Sequence, residues 1–348
     1  MRGPSKACAP FPLLQRGSKT LPERILVMGG GLAGTAAAIA ARREGAAVTI
    51  VEKSRLPRHK VCGEFLSPRV LEILESLGIA SEFQSRSPAL MHRVVLNFAG
   101  REKRFSLPSP AYGLSRYELD HFLLSTARNL GATVVSERPP ESFERTILAT
   151  GRTQSAPKGN RLFGFKAHFS GPVDDAVELY FFGEGYVGVN PVEGGLTNVC
   201  GLAPESTMRE HGFDTDSLVD SVPALRERLG PLRRQMEWLR VGPVIFANRF
   251  SEVPAPGEYR AGDALSFVDP FTGSGMLGAL LSGRAAGLAA SRGQDPTRYQ
   301  AEMRQALGKS FGISGMIRWG LRKPWALFLA PWAAQALPGK WLFAATRP

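Results

Sequence analysis

The chain of 348 residues is 43% hydrophobic and 21% charged, a composition that indicates a folded globular protein and excludes an intrinsically disordered one. Its 38 glycines and 26 prolines follow no repeat, which excludes a collagen-like or low-complexity chain. The three cysteines lie too far apart for a disulfide framework or a paired zinc motif, and they favour a reducing compartment. The length favours two domains.

The formal net charge of +12 is concentrated at the two ends of the chain, in residues 2–24 and 301–348, and the body between them is nearly neutral. A neutral body without zinc-finger, helix-turn-helix or aromatic ribonucleoprotein motifs predicts no nucleic-acid partner. Residues 1–22 mix proline, glycine, serine and basic residues and lack the apolar run of a secretory signal. We interpret them as a disordered leader.

The first predicted unit consists of a strand, a glycine-rich turn, a helix and a second strand. The apolar run Ile25–Met28 predicts a buried parallel strand, residues 35–44 predict an alanine-rich helix, and Ala47–Val51 predicts the second strand. Between the first strand and the helix lies the sequence GGGLAG (residues 29–34), which has the G-x-G-x-x-G spacing. This order of elements is typical of a dinucleotide-binding fold.

Each glycine of this motif has a distinct predicted role. Gly29 allows the tight turn, Gly31 lets the backbone approach a pyrophosphate, and Gly34 lets the helix pack closely on the strand. The helix N-terminus offers free N–H groups to the phosphates. Glu52 follows the second strand, where a carboxylate accepts hydrogen bonds from an adenosine ribose and disfavours a 2′-phosphate. The turn therefore predicts FAD or NAD rather than NADP.

Five further motifs bear on whether the cofactor is FAD or NAD. They are RHKVCGEFLSP (residues 58–68), LSRYELD (114–120), ILATG (147–151), AGDA (261–264) and DPFTGSGM (269–276). In this order the segments resemble those of the FAD-dependent oxidoreductases of the geranylgeranyl reductase family, within the p-hydroxybenzoate hydroxylase-like flavoprotein superfamily. The resemblance extends over about residues 24–300.

The resemblance implies FAD as the cofactor and NAD(P)H as its electron donor. It implies that Cys62 and Gly63 lie where the chain passes close to the flavin, that Arg116 contacts the cofactor, and that Asp263 binds the sugar-alcohol and pyrophosphate side of FAD. It also implies a helix over residues 277–288 whose N-terminal amides face the flavin. The predicted cofactor-binding residues are Gly29, Gly31, Ala33, Gly34, Glu52, Cys62, Gly63, Arg116, Asp263, Gly273, Gly275 and Met276.

A second unit is predicted from strand-like alternation in residues 92–106 and 161–202. We expect an antiparallel sheet over the flavin that supplies a wall of the substrate site. Most of its aromatic rings are expected in the core, and the remainder against an apolar substrate. These rings are Phe163, Phe165, Phe169, Phe181, Phe182 and Tyr186.

The predicted fold is α/β, with a FAD-binding Rossmann-like domain, an inserted antiparallel β-rich substrate domain and a helical C-terminal tail. The FAD-binding domain is discontinuous and comprises residues 23–90, 111–155 and 250–298. The substrate domain comprises residues 91–110 and 160–249, and the helical, basic, tryptophan-rich tail comprises residues 299–348.

Two departures from related flavoproteins narrow the predicted chemistry. Hydroxylases of the superfamily carry a G-A-D-G segment where this chain has LATG (residues 148–151), and the missing acid disfavours a hydroxylase-type use of nicotinamide. Flavin halogenases carry G-W-x-W-x-I-P where this chain has GYVGVNP (185–191), which argues against halogenation. The five histidines have no metal-ligand spacing, so no metal site is predicted.

The C-terminal segment combines tryptophan with basic residues. Trp319, Trp325, Trp332 and Trp341 lie there, and the uncharged stretch 324–339 is too short to span a bilayer. Two interpretations stay open, namely helices that pack on the FAD domain and peripheral contact with a membrane surface. We expect a cytoplasmic protein.

The sequence therefore predicts a FAD-dependent oxidoreductase that reduces a carbon–carbon double bond of a hydrophobic small molecule, an isoprenoid or polyketide-like lipid. The alternatives are a flavin-dependent monooxygenase and a non-redox flavin-binding isomerase or cyclase. No catalytic residue is assigned, and Cys62 and Glu64 are candidates for the proton donor by position in the sequence only.

Overall fold

The computed structural model describes residues 23–98, 100–152, 161–245, 247–248, 250, 252–267 and 273–321. The predicted leader and the last 27 residues of the predicted tail, 322–348, lie outside the described residues.

The helices and strands follow one another in this order: β1 (Arg24–Met28), α1 (Leu32–Arg43), β2 (Ala47–Val51), β3 (Phe65–Leu66), α2 (Val70–Ser76), α3 (Ala80–Gln84), β4 (Ala89–Phe98), β5 (Arg101–Gly113), α4 (Arg116–Asn129), β6 (Thr133–Val135), β7 (Arg145–Leu148), β8 (Leu162–Ser170), β9 (Ala176–Phe182), β10 (Gly185–Val192), β11 (Leu196–Pro204), α5 (Glu205–Glu210), α6 (Thr215–Asp220), α7 (Pro223–Leu229), β12 (Arg233–Arg234), β13 (Leu239–Val244), β14 (Ala247–Asn248), β15 (Glu258–Arg260), β16 (Ser266–Phe267), α8 (Gly275–Ser291) and α9 (Pro296–Leu321).

The first sheet is parallel and has the strand order β15–β7–β1–β2–β6. Its central strand β1 is built from apolar residues, of which Ile25, Leu26 and Val27 are completely buried, as is typical of the central strand of a parallel sheet. The predicted strand, helix and strand at the start of the chain are confirmed. This sheet and its helices form the Rossmann-like FAD-binding domain.

Helices α1 and α8 pack against each other at backbone distance. A Cβ atom added to Gly283 would lie 2.1 Å from the carbonyl oxygen of Ala33, and one added to Gly287 would lie 2.3 Å from that of Ala37. Only glycine allows this approach, since any side chain there would overlap the opposite backbone. The small residues of both helices therefore fix the distance between them.

The second sheet is mainly antiparallel, as predicted, with the order β12–β8–β11–β10–β9–β4–β5–β3, and β13 also pairs with β8. Its strands β4 and β5 begin at Ala89 and end at Gly113, slightly outside the predicted limits 91–110. One face is apolar and packs against α5, α6 and α7. The opposite face carries buried polar side chains on β8 and β11.

The aromatic side chains of this sheet lie largely in the core, as expected for most of them. Phe165 and Phe169 both make edge contacts with Trp238 on the helix-covered face, and Phe181 stacks on Phe98. Tyr186 belongs to the same buried cluster as Phe181. These rings stabilise the sheet.

The C-terminal helix α9 packs on the FAD-binding domain at its first turns. Tyr299 is buried, and its hydroxyl donates a hydrogen bond to the carbonyl oxygen of Arg260 at 2.7 Å, with the carbonyl oxygen of Ser282 a second acceptor at 3.1 Å. Among the described residues, no helix has the length and apolar character needed to cross a bilayer, and no cluster of three or more potential metal ligands occurs.

The contact between α1 and α8 predicts a marked cost of adding one methyl group. Gly283→Ala should lower the free energy of unfolding by about 1–3 kcal/mol, because backbone atoms cannot move aside as a side chain can. The matched control is Gly308→Ala in α9, where the nearest atom lies 3.9 Å from the added Cβ. Gly308→Ala should be neutral or stabilising by up to about 1 kcal/mol. Urea denaturation of both variants would measure the difference, and equal stabilities would contradict the prediction.

Candidate cofactor-binding site

The turn between β1 and α1 requires glycine at two positions for folding alone. Gly29 has φ of 108°, and a Cβ there would lie 2.3 Å from the carbonyl oxygen of Ala149, the residue that follows the neighbouring strand β7. A Cβ on Gly34 would lie 1.8 Å from the carbonyl oxygen of Gly29. These two glycines allow α1 to begin directly at the carboxyl end of β1.

Gly31 differs because the space beside it is open. The nearest atoms to an added Cβ are Nη2 of Arg116 at 3.9 Å and Nζ of Lys60 at 4.0 Å. Gly31 precedes the first residue of α1 and has no side chain that caps the helix. The free N–H groups of the helix and two cations therefore border the same space, an arrangement that fits an anionic pyrophosphate.

The two cations share one buried carboxylate. The guanidinium of Arg116 donates to both oxygens of Asp120, at 2.9 and 3.1 Å, and the ammonium of Lys60 also donates to Asp120. Burial raises the pKa of Asp120, but the charges of Arg116 and Lys60 outweigh burial and hold it below its ordinary value. Burial, followed by the charge of Arg116, lowers the pKa of Lys60. Two cations against one carboxylate leave positive charge for a ligand.

Local sequence explains the position of Arg116. Ser115 caps α4 by accepting a hydrogen bond from the backbone N–H of Glu118 at 3.2 Å, which is the S-x-x-E capping pattern. Arg116 is therefore the first residue of the helix, and Asp120 lies one turn further on the same face. Lys60 was not among the predicted cofactor-binding residues, although it lies in the segment that contains Cys62 and Gly63.

Glu52 lies at the carboxyl end of β2, as predicted. Its two carboxylate oxygens accept hydrogen bonds from the backbone N–H groups of Gly30 and Ser54, both at 2.8 Å. These bonds orient the carboxylate beside the glycine turn. A carboxylate has about four lone-pair sites, so acceptor capacity remains for a ribose hydroxyl.

Asp263 and Ala33 lie close to the same end of the parallel sheet. Asp263 is half-buried and follows Gly262, whose added Cβ would lie 2.9 Å from the Cβ of Ala33. Burial raises the pKa of Asp263, and the charges of Arg116 and Arg152 act in the opposite direction. The side chain of Ala33 packs between Gly262 and α8, so its small size serves the helix contact.

The remaining predicted residues border two further open positions. Within the described part of the chain, and apart from the immediate chain neighbours, no atom lies within 4 Å of a Cβ added to Gly63 or Gly275. Gly275 is the first residue of α8, and Ser274 before it makes no side-chain capping hydrogen bond to that helix. Gly273 has φ of 67° and precedes this helix, while Met276 is buried. These openings, together with the space beside Gly31, fit a dinucleotide cofactor.

The loop with Cys62 and Gly63 is held by the polar face of the large sheet. The buried side-chain amide of Asn198 on β11 donates hydrogen bonds to the carbonyl oxygens of Gly63 and Cys62, at 2.9 and 3.3 Å. Its Oδ1 atom is buried without a hydrogen-bond partner among the described residues. A buried acceptor of this kind fits a ligand that brings an N–H or O–H group.

Glu64 is the centre of a buried ionic cluster, which we define as Glu64, Lys166 and His168. Lys166 and the backbone N–H of Arg116 donate to one oxygen of Glu64, the latter at 2.6 Å, and Nε2 of His168 lies 2.7 Å from the other. Glu64 also has φ of 51°, a conformation that costs a non-glycine residue about 1–3 kcal/mol.

The charges of this cluster determine the ionisation of Glu64. Burial raises the pKa of Glu64, but the hydrogen bond from His168 and the charge of Lys166 outweigh it, and the pKa falls below its ordinary value. Glu64 is therefore an anion at neutral pH. All three side chains are nearly or completely inaccessible to solvent.

Strand alternation brings the cluster together. Lys166 and His168 lie two residues apart on β8 and point to the same face, and their partners in the register are Cys200 and Asn198 on β11. Burial raises the pKa of the Cys200 thiol. Sequence analysis predicted that His168 is not a metal ligand and did not find the cluster. The available signal was a lysine within the otherwise apolar run FGFKAHF (residues 163–169).

Comparison with known proteins finds one family model and several curated proteins that are similar to parts of this chain. A family model described as an FAD binding domain matches residues 23–150. The menaquinone reductase of Mycolicibacterium smegmatis is 34% identical over 116 residues, which are 32% of this chain and 28% of that protein's length. Digeranylgeranylglycerophospholipid reductase 2 of Methanopyrus kandleri is 24% identical over 351 residues, which cover 82% of this chain and 83% of that protein.

Solved structures agree with the fold. The flavin-dependent brominase Bmp2 has a TM-score of 0.73 at 17% identity, covering 90% of this chain and 89% of that one. A geranylgeranyl bacteriochlorophyll reductase-like protein of Thermoplasma acidophilum has a TM-score of 0.67 at 20% identity, covering 92% and 90%. At these identities the likeness shows the fold alone. The family model thus identifies an FAD-binding domain over residues 23–150, and this chain matches only 28% of the length of the menaquinone reductase.

The geometry of the turn predicts different outcomes for two identical substitutions. Gly31→Ala should leave the stability of the FAD-free protein unchanged but lower FAD affinity by at least about tenfold, equivalent to about 1.4 kcal/mol, because the methyl group enters the space assigned to the pyrophosphate. Gly34→Ala should destabilise the fold itself, since its Cβ overlaps the carbonyl oxygen of Gly29. Thermal unfolding measures the stability of each variant, and fluorescence titration with FAD measures its affinity for the cofactor. Unchanged affinity in Gly31→Ala would contradict the assignment.

Asp263 provides a second test of the site. Asp263→Ala should lose bound FAD, because its carboxylate is predicted to contact the sugar-alcohol side of the cofactor. The matched control is Asp216→Ala, which removes a carboxylate paired with Arg234 on the large sheet and should leave FAD binding intact. Flavin absorbance of the purified variants measures occupancy, and full occupancy in Asp263→Ala would count against the assignment.

Proposed function

We propose that this protein is a FAD-dependent reductase that saturates a carbon–carbon double bond of a hydrophobic small molecule, an isoprenoid or polyketide-like lipid. The proposal depends on one observation, which is how much of this chain and of one relative their sequence match covers. Of the two sequence relatives named above, the digeranylgeranylglycerophospholipid reductase is the one matched over most of its own length and most of this chain. Menaquinone and squalene, named for two further relatives, are also apolar.

The residues that would hold FAD fit its parts. Gly31, the N-terminus of α1, Arg116 and Lys60 would hold the pyrophosphate, Glu52 the adenosine ribose, and Asp263 the sugar-alcohol chain. The N-terminus of α8 would lie at the flavin ring, where its amides favour negative charge. When bound, FAD supplies hydride-transfer chemistry, and NAD(P)H is the proposed source of its electrons.

The protein's own contribution to the reduction is orientation, exclusion of water and control of a proton. Saturation of a double bond adds a hydride to one carbon and a proton to the other. The large sheet, attached to the Cys62–Gly63 loop through Asn198, would form the wall opposite the cofactor. Its buried polar face would keep bulk water out while holding ionisable groups near the loop.

The predicted tail extends the proposal to the delivery of the substrate. We propose that residues 299–348 contact a membrane surface peripherally, because their tryptophans and basic side chains suit the interface where an apolar lipid resides. A protein that works at such a surface on the cytoplasmic side would meet its substrate there.

A monooxygenase is the second candidate, because the relatives also include the FAD-dependent monooxygenase OpS4 of Beauveria bassiana and the squalene monooxygenase of Rattus norvegicus. This chain has Thr150 where hydroxylases of the superfamily carry an acid in their G-A-D-G segment, and that difference favours reduction. A non-redox isomerase or cyclase remains a third candidate, for which FAD would stay oxidised throughout.

Product analysis tests the proposed function. The holoenzyme would be incubated with NADPH or NADH and a geranylgeranyl-substituted lipid, and the products analysed by mass spectrometry. Reduction predicts a gain of two hydrogen atoms per saturated bond, while a gain of oxygen that depends on dissolved O2 would establish the monooxygenase instead. A product with the same molecular mass as the substrate would establish the isomerase or cyclase.

A matched pair of variants tests whether the activity uses the proposed site. Arg116→Gln should lose most activity at limiting FAD, because it removes a cation that faces Gly31. Arg58→Gln removes an exposed arginine two residues before Lys60 and should behave as the wild type. Equal activity of the two variants at limiting FAD would argue against the proposed cofactor site.

A further inference from the structure

The Glu64–Lys166–His168 cluster is connected to solvent by a second histidine. The ring of His59 is exposed and makes an edge contact with the ring of His168, with centroids 5.3 Å apart. On its other side His59 stacks on Tyr117 at 5.0 Å. A line of groups that bind protons therefore extends from the surface through His59 and His168 to the buried Glu64 and Lys166.

The cluster is also connected to the cofactor site through the chain itself. Glu64 directly follows Gly63, whose carbonyl oxygen is bound by Asn198. Its carboxylate accepts the backbone N–H of Arg116, while the side chain of Arg116 faces the open space beside Gly31. Arg116 thus contacts the cluster through its backbone and the space assigned to the pyrophosphate through its side chain.

The charges leave one member of the cluster free to change its protonation. Glu64 and Lys166 neutralise each other, and Arg116 is paired with Asp120. His168 is the third member, and its imidazole can accept a second proton on the ring nitrogen that does not face Glu64. The described titratable and charged groups around it, on every packed element, are His59, Cys62, Glu64, Arg116, Tyr117, Lys166, Glu193 and Cys200.

We propose that His168 takes up one proton from solvent, by way of His59, when FAD bound to this chain receives two electrons. The electrons come from a nicotinamide donor, the proton comes from water, and Glu64 holds the positive imidazolium that results. The uptake offsets charge that would otherwise enter a buried site uncompensated. The inference rests on the FAD site proposed above and does not depend on the substrate. In the proposed reduction, this proton is the one available for the second carbon.

Redox titration of the holoenzyme tests the uptake without any substrate. The midpoint potential of bound FAD would be measured spectroelectrochemically between about pH 5 and about pH 8, where histidine titrates. The wild type should take up one proton more per two electrons than His168→Gln over part of this range. The matched control is His92→Gln, an exposed histidine beside Asp175 on β4, which should retain the wild-type slope. The same slope in wild type and His168→Gln would overturn the proposal.

The path through His59 has a separate kinetic test, which remains available if His168→Gln does not retain FAD. His59→Gln lies at the surface and should keep the wild-type slope at equilibrium. It should slow proton uptake after rapid photoreduction, followed with a pH-indicator dye, by about 100-fold. Added imidazole should restore the rate, a rescue that a purely structural role would not show. Wild-type uptake in His59→Gln without imidazole would overturn the path.

These outcomes are distinct from failure of the proposed function. A holoenzyme that shows the extra proton but does not saturate any lipid would contradict only the proposed reduction. A holoenzyme that saturates the lipid but shows equal slopes would contradict only the proton uptake. A purified protein that binds no FAD would overturn both.

Discussion

The structure depends on the close contact of α1 with its neighbours at the level of the backbone. Gly34 lies against the carbonyl oxygen of Gly29, and Gly283 lies against that of Ala33, with no room for a side chain at either glycine. These contacts hold the N-terminus of α1 at the carboxyl end of the parallel sheet. They also set the position of α8, so the two helix N-termini assigned to the cofactor belong to one rigid packing unit.

Arg116 joins two electrostatic arrangements that would otherwise be separate. Its side chain shares Asp120 with Lys60 beside the glycine turn, and its backbone N–H binds Glu64 in the cluster under the large sheet. Burying a carboxylate in each arrangement is costly unless several donors surround it. Both carboxylates meet that condition, and each thereby fixes the loop or helix from which its donors come. Arg116 thus connects the glycine turn to the polar face of the large sheet.

The two faces of the large sheet differ in composition, since one is apolar and the other carries buried polar side chains. Of the aromatic residues that sequence analysis considered for a substrate wall, Phe165 and Phe169 lie on the helix-covered face in contact with Trp238, while Phe181 and Tyr186 belong to a separate buried cluster. The other face carries Lys166, His168 and Asn198. Period-two alternation predicts that adjacent residues of β8 face opposite ways. It does not say which face meets the cofactor domain, because that depends on which side α5, α6 and α7 cover.

The sequence by itself determined the strand–turn–helix–strand unit, the acid after β2 and the antiparallel character of the second sheet. These features depend on contacts between residues close in the chain, so apolar periodicity and glycine spacing carry them. Only the tertiary structure decided that Lys60 shares Asp120 with Arg116, and that Lys166 and His168 meet Glu64 from 102 and 104 positions away. The lysine in the run FGFKAHF signals a buried charge but does not identify its partner, since that contact depends on the register of β8 with β11 and on how the sheet packs over the Cys62–Gly63 loop.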